Sequence, residues 1–169
     1  SYTIRETKAP EGYELSNEVF TIDITEDGKT YTVSSSGFDG VTNRQQVGSI
    51  QVKKVDPEGN PLAGVSFLLE YSQDGKGWKS VTFREEGSLP EVGSCTSSGL
   101  KDSILTTAED GIAMFSGLSI SIGDNHIYYL LTETTVPEGY TLLPEPAFEG
   151  ELPQDGSREI TAVSYTHLR

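Results

Sequence analysis

Tyr2-Thr3-Ile4-Arg5-Glu6-Thr7-Lys8-Ala9-Pro10-Glu11-Gly12-Tyr13 returns near the other end of the chain as Tyr129-Leu130-Leu131-Thr132-Glu133-Thr134-Thr135-Val136-Pro137-Glu138-Gly139-Tyr140. Seven of the twelve positions are identical, at an offset of 127 residues. A recurrence at that period means two copies of one domain type in series. The motif opens the chain yet lies deep inside the second copy. The expected organisation is therefore the C-terminal part of a first module over 1–47 and a second module over 48–163 that lacks the end of its last strand.

Outward from the repeat, the texture is that of short strands and turns. Glu18–Ile24 alternates apolar and polar residues, ends in Glu26-Asp27-Gly28-Lys29, and predicts a hairpin with Lys29–Val33. A polar connector, Arg44–Val47, then leads into Gly48-Ser49-Ile50-Gln51-Val52-Lys53-Lys54-Val55-Asp56. Further strands are predicted at 65–71, 111–115, 127–131 and 158–163, separated by Gly and Pro turns in which Gly supplies positive φ and Pro fixes it. From about Phe83 to Thr107 the pattern dissolves into Gly, Ser, Pro and charge, and predicts a long surface loop with at most one helical turn. No stretch sustains a helical period, so nucleotide-binding βαβ folds are disfavoured and the fold class is all-β.

The chain has 169 residues, enough for one domain or two small ones. Its 12 Lys and Arg against 26 Asp and Glu give a net charge of −14, a field that repels phosphate backbones and anionic lipid. Nucleic acid and membrane surfaces are excluded as partners. Cys95 is the single cysteine, so no intrachain disulfide forms, and Cys95, His126 and His167 have no zinc spacing. Asp27-Gly28 and Asp74-Gly75 lack calcium-loop spacing and read as hairpin turns. No metal or cofactor is expected. There is no Ser-His-Asp or Cys-His set and no phosphate loop, and His126, beside Asp124 and Asn125, reads as a surface turn residue. No apolar run is long enough to span a membrane, and the first residues do not form a signal peptide. The last six residues, Ser164-Tyr165-Thr166-His167-Leu168-Arg169, resemble the translation of a sequencing adapter and are read as a non-native tail.

Strand alternation also brings chemistry inward. Ile50, Val52 and Lys54 share one face, as do Tyr129, Leu131 and Glu133, and Tyr2, Ile4 and Glu6. Val41 and Asn43 share a face near the end of the first module's last strand. Lysine, glutamate and asparagine are the three parts of an intramolecular isopeptide bond. Apolar surroundings disfavour an ammonium ion and leave a nucleophilic amine. A neutral glutamic acid can then polarise the Asn carboxamide and move protons as the amine attacks and ammonia leaves. Periodicity alone leaves the plainer alternative open: a lysine whose head reaches solvent and a glutamate paired with a surface cation.

The Glu-Thr-x-x-Pro-Glu-Gly-Tyr motif follows the Gly48–Asp56 opening, Asn60-Pro61-Leu62-Ala63-Gly64-Val65-Ser66-Phe67 and Asp110-Gly111-Ile112-Ala113-Met114-Phe115-Ser116-Gly117-Leu118. This ordered set resembles the Cna B-type, or SpaA-like prealbumin-fold, domains of Gram-positive surface adhesins and pilins. The resemblance implies tandem prealbumin-like (Ig-like, reverse) β-sandwich modules. It implies Lys54 as nucleophile and Glu133 as proton shuttle of the second module, with Glu6 as shuttle and Asn43 as acceptor of the first. Lys53, of opposite parity, is read as a solvated charge, and Glu11 and Glu138 as exposed turn residues. The implied role is non-enzymatic: a stalk module of a secreted, cell-wall-anchored protein at the cell surface, with neighbouring modules of the same polypeptide as partners. The alternative is a ligand-binding module that recognises a host matrix protein or glycan through the 83–107 loop and Trp78.

Overall fold

The computed structural model describes residues 1–10 and 12–166. The chain divides into two compact units, Ser1–Gln46 and Val47–Arg169. Unit 1 carries one two-stranded antiparallel sheet of β1 (Tyr2–Arg5) and β2 (Val19–Ile22), with Tyr2 opposite Ile22 and Arg5 opposite Val19. The hairpin expected between 18–24 and 29–33 does not form. β2 gives one edge to β1, and 29–33 joins no strand. The turn is closed by a side chain instead, since the Tyr31 hydroxyl accepts the backbone N–H of Thr25 at 3.1 Å and of Glu26 at 3.2 Å. A single tyrosine oxygen thus takes donors that a returning strand would otherwise have paired.

Unit 2 contains β3 (Val47–Val55), β4 (Ser66–Ser72), β5 (Lys79–Ser80), β6 (Thr82–Phe83), β7 (Ser94–Cys95), β8 (Ile104–Thr106), β9 (Ile112–Ser119), β10 (Tyr128–Thr135), β11 (Phe148–Glu151) and β12 (Ser157–Val163). One sheet runs β11-β10-β4-β5, with β8 also paired to β4; the other runs β12-β3-β9. Among the described residues there is no helix, and hence none long and apolar enough to cross a membrane. The all-β class holds.

The two sheets bury one core between them. Ile50 and Val52 of β3 and Ala113, Phe115 and Leu118 of β9 come from one sheet; Phe67 and Leu69 of β4 and Tyr129 and Leu131 of β10 come from the other. Strict alternation produces this, because every second side chain of a strand faces the same way. In β3 the residues Ile50, Val52 and Lys54 are buried while Lys53 is exposed. Glycine is required where a turn approaches the end of β3. Gly111 has φ +77°, and a Cβ there would lie 2.5 Å from the Lys54 carbonyl oxygen, which closes the tight approach of the Asp110-Gly111 turn.

β3 and β12 pair in parallel over seven residues, from Ser49 opposite Ser157 to Val55 opposite Val163. The first and last strands of unit 2 are therefore direct neighbours. The 83–107 region lies against the sandwich as well. β6 and β7 pair in parallel, β8 joins β4, and the Ser97 hydroxyl donates to the Met114 carbonyl at 2.6 Å while accepting the Ser116 N–H at 2.8 Å. Those bonds occupy the free edge of β9. Cys95 is fully buried in the core cluster.

Candidate functional site: a buried lysine–glutamate pair

β3 and β10 lie in opposite sheets, and each turns its last inward residue toward the other. Lys54 Nζ lies 2.7 Å from Glu133 Oε1, and both side chains are completely enclosed. The contact is close but is not angled as a hydrogen bond, and neither atom has another hydrogen-bond partner among the described residues. The second glutamate oxygen is fixed: Oε2 accepts the backbone N–H of Leu143 at 2.7 Å. Burying two such groups among Val, Phe and Leu costs several kcal/mol per ion unless each is compensated, so an apolar pair would serve stability at least as well.

Unit 1 holds a related set. Glu6 and Asn43 are both half-buried, and the Asn43 Nδ2 donates to Glu6 Oε2 at 2.7 Å. The same oxygen accepts the Ser16 N–H at 2.7 Å. In both units, then, the glutamate is held by the backbone amide ten residues downstream. Residues 41–44 are not a regular strand and Val41 is exposed, so the face expected to carry Val41 and Asn43 is not formed. Asn43 is placed instead by its own side chain, which also donates to the Glu14 carbonyl at 3.0 Å.

The Pro-Glu-Gly-Tyr turns position these glutamates. Tyr13 N–H donates to Pro10 O at 3.1 Å and Tyr140 N–H to Pro137 O at 3.2 Å, with φ of +82° at Gly12 and +92° at Gly139. Each tyrosine then bridges the closing segment of its unit, Tyr13 with Gln45 and Tyr140 with Thr166. Counting two residues back from each bridge partner places Ser164 of unit 2 where unit 1 has Asn43. Ser164 is buried and its hydroxyl has no partner, while its N–H donates to Val55 O at 2.9 Å. Glu138 is exposed; Glu11 and residues 167–169, including His167, lie outside the described residues.

The remaining candidates sit apart from this pair. His126 Nδ1 lies 2.7 Å from Glu151 Oε1, which also accepts the Ser121 hydroxyl at 2.7 Å. The His126 bond, then that of Ser121, hold the Glu151 carboxyl below its usual range. Both bonds reach one carboxylate oxygen, so serine and histidine are not aligned for nucleophilic catalysis. Trp78 is half-buried, and the bowl beside the 83–107 region is lined by Glu86, Thr96, Ser97, Ser98, Met114 and Ser116, with no aromatic side chain. No cluster that could hold a metal ion occurs among the described residues.

Two facing β-sheets around one core, with no helix among the described residues and the first and last strands of unit 2 paired in parallel, make unit 2 a β-sandwich domain. The chain matches the SpaA prealbumin-like fold domain over residues 1–37 and 48–166, and it belongs to that family. Among solved structures it is similar to the Bacillus anthracis TIE protein, at 23% identity and a TM-score of 0.61, covering 98% of this chain and 25% of that one. It is also similar to the group B streptococcus pilus 2b backbone protein, at 22% identity and a TM-score of 0.53, covering 79% of this chain and 46% of that one. The chain thus spans a quarter to a half of these larger proteins, and the likeness is one of fold. No curated protein matches it in sequence.

Proposed function

We propose that this chain is a structural segment of a secreted, cell-wall-anchored surface protein of the adhesin or pilin kind, and that its modules are of the type that closes Lys–Asn isopeptide bonds without an enzyme. On this reading 1–47 is the C-terminal part of one module and 48–163 a second, and the neighbours of each are further modules of the same polypeptide. The observation that carries it is the enclosed 2.7 Å contact between Lys54 and Glu133. Ion pair and neutral amine–acid pair differ there by the transfer of one proton across that distance. The neutral form supplies the nucleophile and the acid together.

The parallel pairing of β3 with β12 gives such a bond mechanical meaning. Force applied at the two ends of unit 2 enters β3 at Val47 and leaves β12 at Val163, so it shears the seven parallel pairs along their length. A covalent link from Lys54 to the closing segment carries that load past the sandwich core, in a chain whose single cysteine offers no disulfide. The acidic surface suits an exposed, soluble rod. Recognition through 83–107 has less support, because that region is stapled to β4 and β9 and frames a bowl of hydroxyls.

Single-molecule pulling tests the reading. The chain as it stands should unfold unit 2 with a gain of about 360–400 Å for the roughly 110 residues from Lys54 to Ser164. With Ser164→Asn, that step should vanish. A full-length step in both forms would remove the stalk mechanism.

A further inference from the structure

We infer that Asp27-Gly28 is a site of spontaneous main-chain modification, at which the Gly28 nitrogen closes on the Asp27 carboxyl to form a succinimide that water reopens to isoaspartate. The chain holds five Asp-Gly pairs, with the aspartates at 27, 39, 74, 110 and 155. In each, the glycine has no side chain to hinder attack of its nitrogen on the carboxyl before it. Sequence alone makes the five pairs alike, and the folded structure separates them. The modification is independent of the isopeptide chemistry proposed above.

Ring closure needs a main-chain N–H with no competing partner and a carboxyl free to turn toward it. In four of the pairs the glycine N–H is taken. Gly40 donates to the Ser34 hydroxyl at 3.1 Å, Gly75 to the Ser72 hydroxyl at 2.9 Å, and Gly111 and Gly156 to the carbonyls of Ala108 and Pro153, both at 2.8 Å. Three of the carboxylates are held as well. Asp74 Oδ1 accepts the N–H groups of Lys76 and Gly77, both at 2.8 Å, Asp110 Oδ1 that of Ile112 at 2.9 Å, and Asp155 Oδ1 that of Ser157 at 3.1 Å. Asp27-Gly28 carries neither restraint: among the described residues its N–H and its carboxylate have no hydrogen-bond partner, and both residues are exposed. Gly28 has φ +72°, and even an added Cβ would meet nothing within 4 Å.

The step balances with water as its only co-reactant. The Gly28 nitrogen bonds to Asp27 Cγ and gives up its hydrogen, the carboxyl hydroxyl leaves with that hydrogen as water, and a cyclic imide remains. Water then adds at either imide carbonyl. Addition at the main-chain carbonyl breaks its bond to the Gly28 nitrogen, so the chain now runs through the former side chain, one methylene longer, and the negative charge is kept. That methylene falls inside a turn braced at its ends, where Lys29 Nζ meets Glu26 Oε1 at 2.8 Å and the Tyr31 hydroxyl accepts the Thr25 and Glu26 N–H groups. None of these contacts reaches the Asp27-Gly28 tip.

Peptide mapping that resolves isoaspartate by its fragment ions tests the assignment, on the folded chain aged in warm buffer and on the same chain aged in urea, where sequence alone sets the five rates. Relative to the urea rates, isoaspartate at 27 should form faster than at 39, 74, 110 or 155 by about tenfold or more, because each hydrogen bond that must open first lowers the reactive population several-fold. In isotopically labelled water every isoaspartate at 27 should carry one solvent oxygen. Asp27→Glu, which lengthens the side chain past the favourable ring size, should abolish the product. Ser34→Ala removes the acceptor of the Gly40 N–H beside an Asp39 carboxylate that has no partner of its own among the described residues, and should raise the rate at 39 several-fold. The inference is overturned if position 27 has no lead over the other four in the folded chain, if its product lacks the labelled oxygen, or if Ser34→Ala leaves the rate at 39 unchanged.

Discussion

Replacing Ser164 by asparagine should convert unit 2 from a pair of groups into a closed covalent loop. Ser164 is buried, its hydroxyl has no partner, and it occupies the place that Asn43 has in unit 1 two residues before the tyrosine bridge. The expected reaction is attack of the Lys54 amine on the new carboxamide carbon, with release of ammonia and a loss of about 17 Da from the intact mass. The cross-link would enclose roughly 110 residues, and loop-closure entropy for that length corresponds to about 4.7 kcal/mol of stabilisation. Seating the larger side chain costs about 1–3 kcal/mol of this, as overpacking generally does. A net gain of about 2–4 kcal/mol in a domain of this size raises Tm by about 8–15 °C. Intact-mass spectrometry and thermal unfolding on one sample read both quantities. Ser164→Asn with Glu133→Gln keeps the shape of the site without the acid, and should show neither change. If Ser164→Asn keeps the parent circular dichroism and hydrogen-exchange pattern but its mass stays constant over days, the reasoning from burial and proximity to reactivity is refuted.

Lys54→Met alone strands the Glu133 carboxylate in the core and should destabilise unit 2 by about 3–5 kcal/mol in urea titration. Adding Glu133→Gln, which still accepts the Leu143 N–H, should recover most of that loss; failure to recover would mean that the methionine, not the stranded charge, is the cause. Gly111→Ala puts a Cβ 2.5 Å from the Lys54 carbonyl in a left-handed conformation and should cost about 2–4 kcal/mol, read by the same titration. Asp74 offers a pH signature: the Gly77 N–H, then the Lys76 N–H and the Ser72 hydroxyl, hold its carboxyl down to about 2 from 3.8. Because the folded value is depressed, its contribution is present above 3.8 and is lost as pH falls toward 2. The denaturation midpoint of the parent should therefore exceed that of Asp74→Ala at pH 5, and the gap should close by pH 2. A constant gap across that window would mean the turn gains nothing from the ionised carboxylate.

The strands of unit 2 could be read from sequence because their alternation is strong. β3 carries Ile50, Val52 and Lys54 on one parity with Lys53 on the other, and β10 carries Tyr129, Leu131 and Glu133, so the inward direction of both charged groups follows from period two alone. Alternation misled at 29–33, where Lys29-Thr30-Tyr31-Thr32-Val33 has strand composition but the Tyr31 hydroxyl takes the turn amides that a ladder would have used. It also misled at Val41, which is exposed because residues 41–44 never enter a regular strand. The amides of Ser16 and Leu143 left no trace in the sequence, since any residue but proline supplies an N–H. Ser94, Ser97 and Ser103 read as loop composition, yet each is buried with its hydroxyl bonded to a backbone carbonyl, at Glu91, Met114 and Val81. Serine is polar enough for a loop and small enough for a core, and only the position of a carbonyl decides between them.

On the proposed reading the two units hold different parts of one arrangement. Unit 2 has the amine and the acid, and unit 1 has the acid and the carboxamide. In both units the glutamate Oε2 takes the amide ten residues on; in unit 1 it also takes the Asn43 Nδ2, and in unit 2 Oε1 meets the lysine. On the same reading this placement has a chemical purpose. When the amine attacks, it must shed a proton, and the departing nitrogen must gain one to leave as ammonia. On that reading the neutral acid gives its proton to the departing nitrogen and, as the carboxylate, takes the proton that the amine sheds, so it ends protonated as it began while ammonia leaves. The two transfers need the carboxyl group to stay between its partners. The backbone amide on Oε2, ten residues downstream of the glutamate in each unit, is a contact that would hold it there.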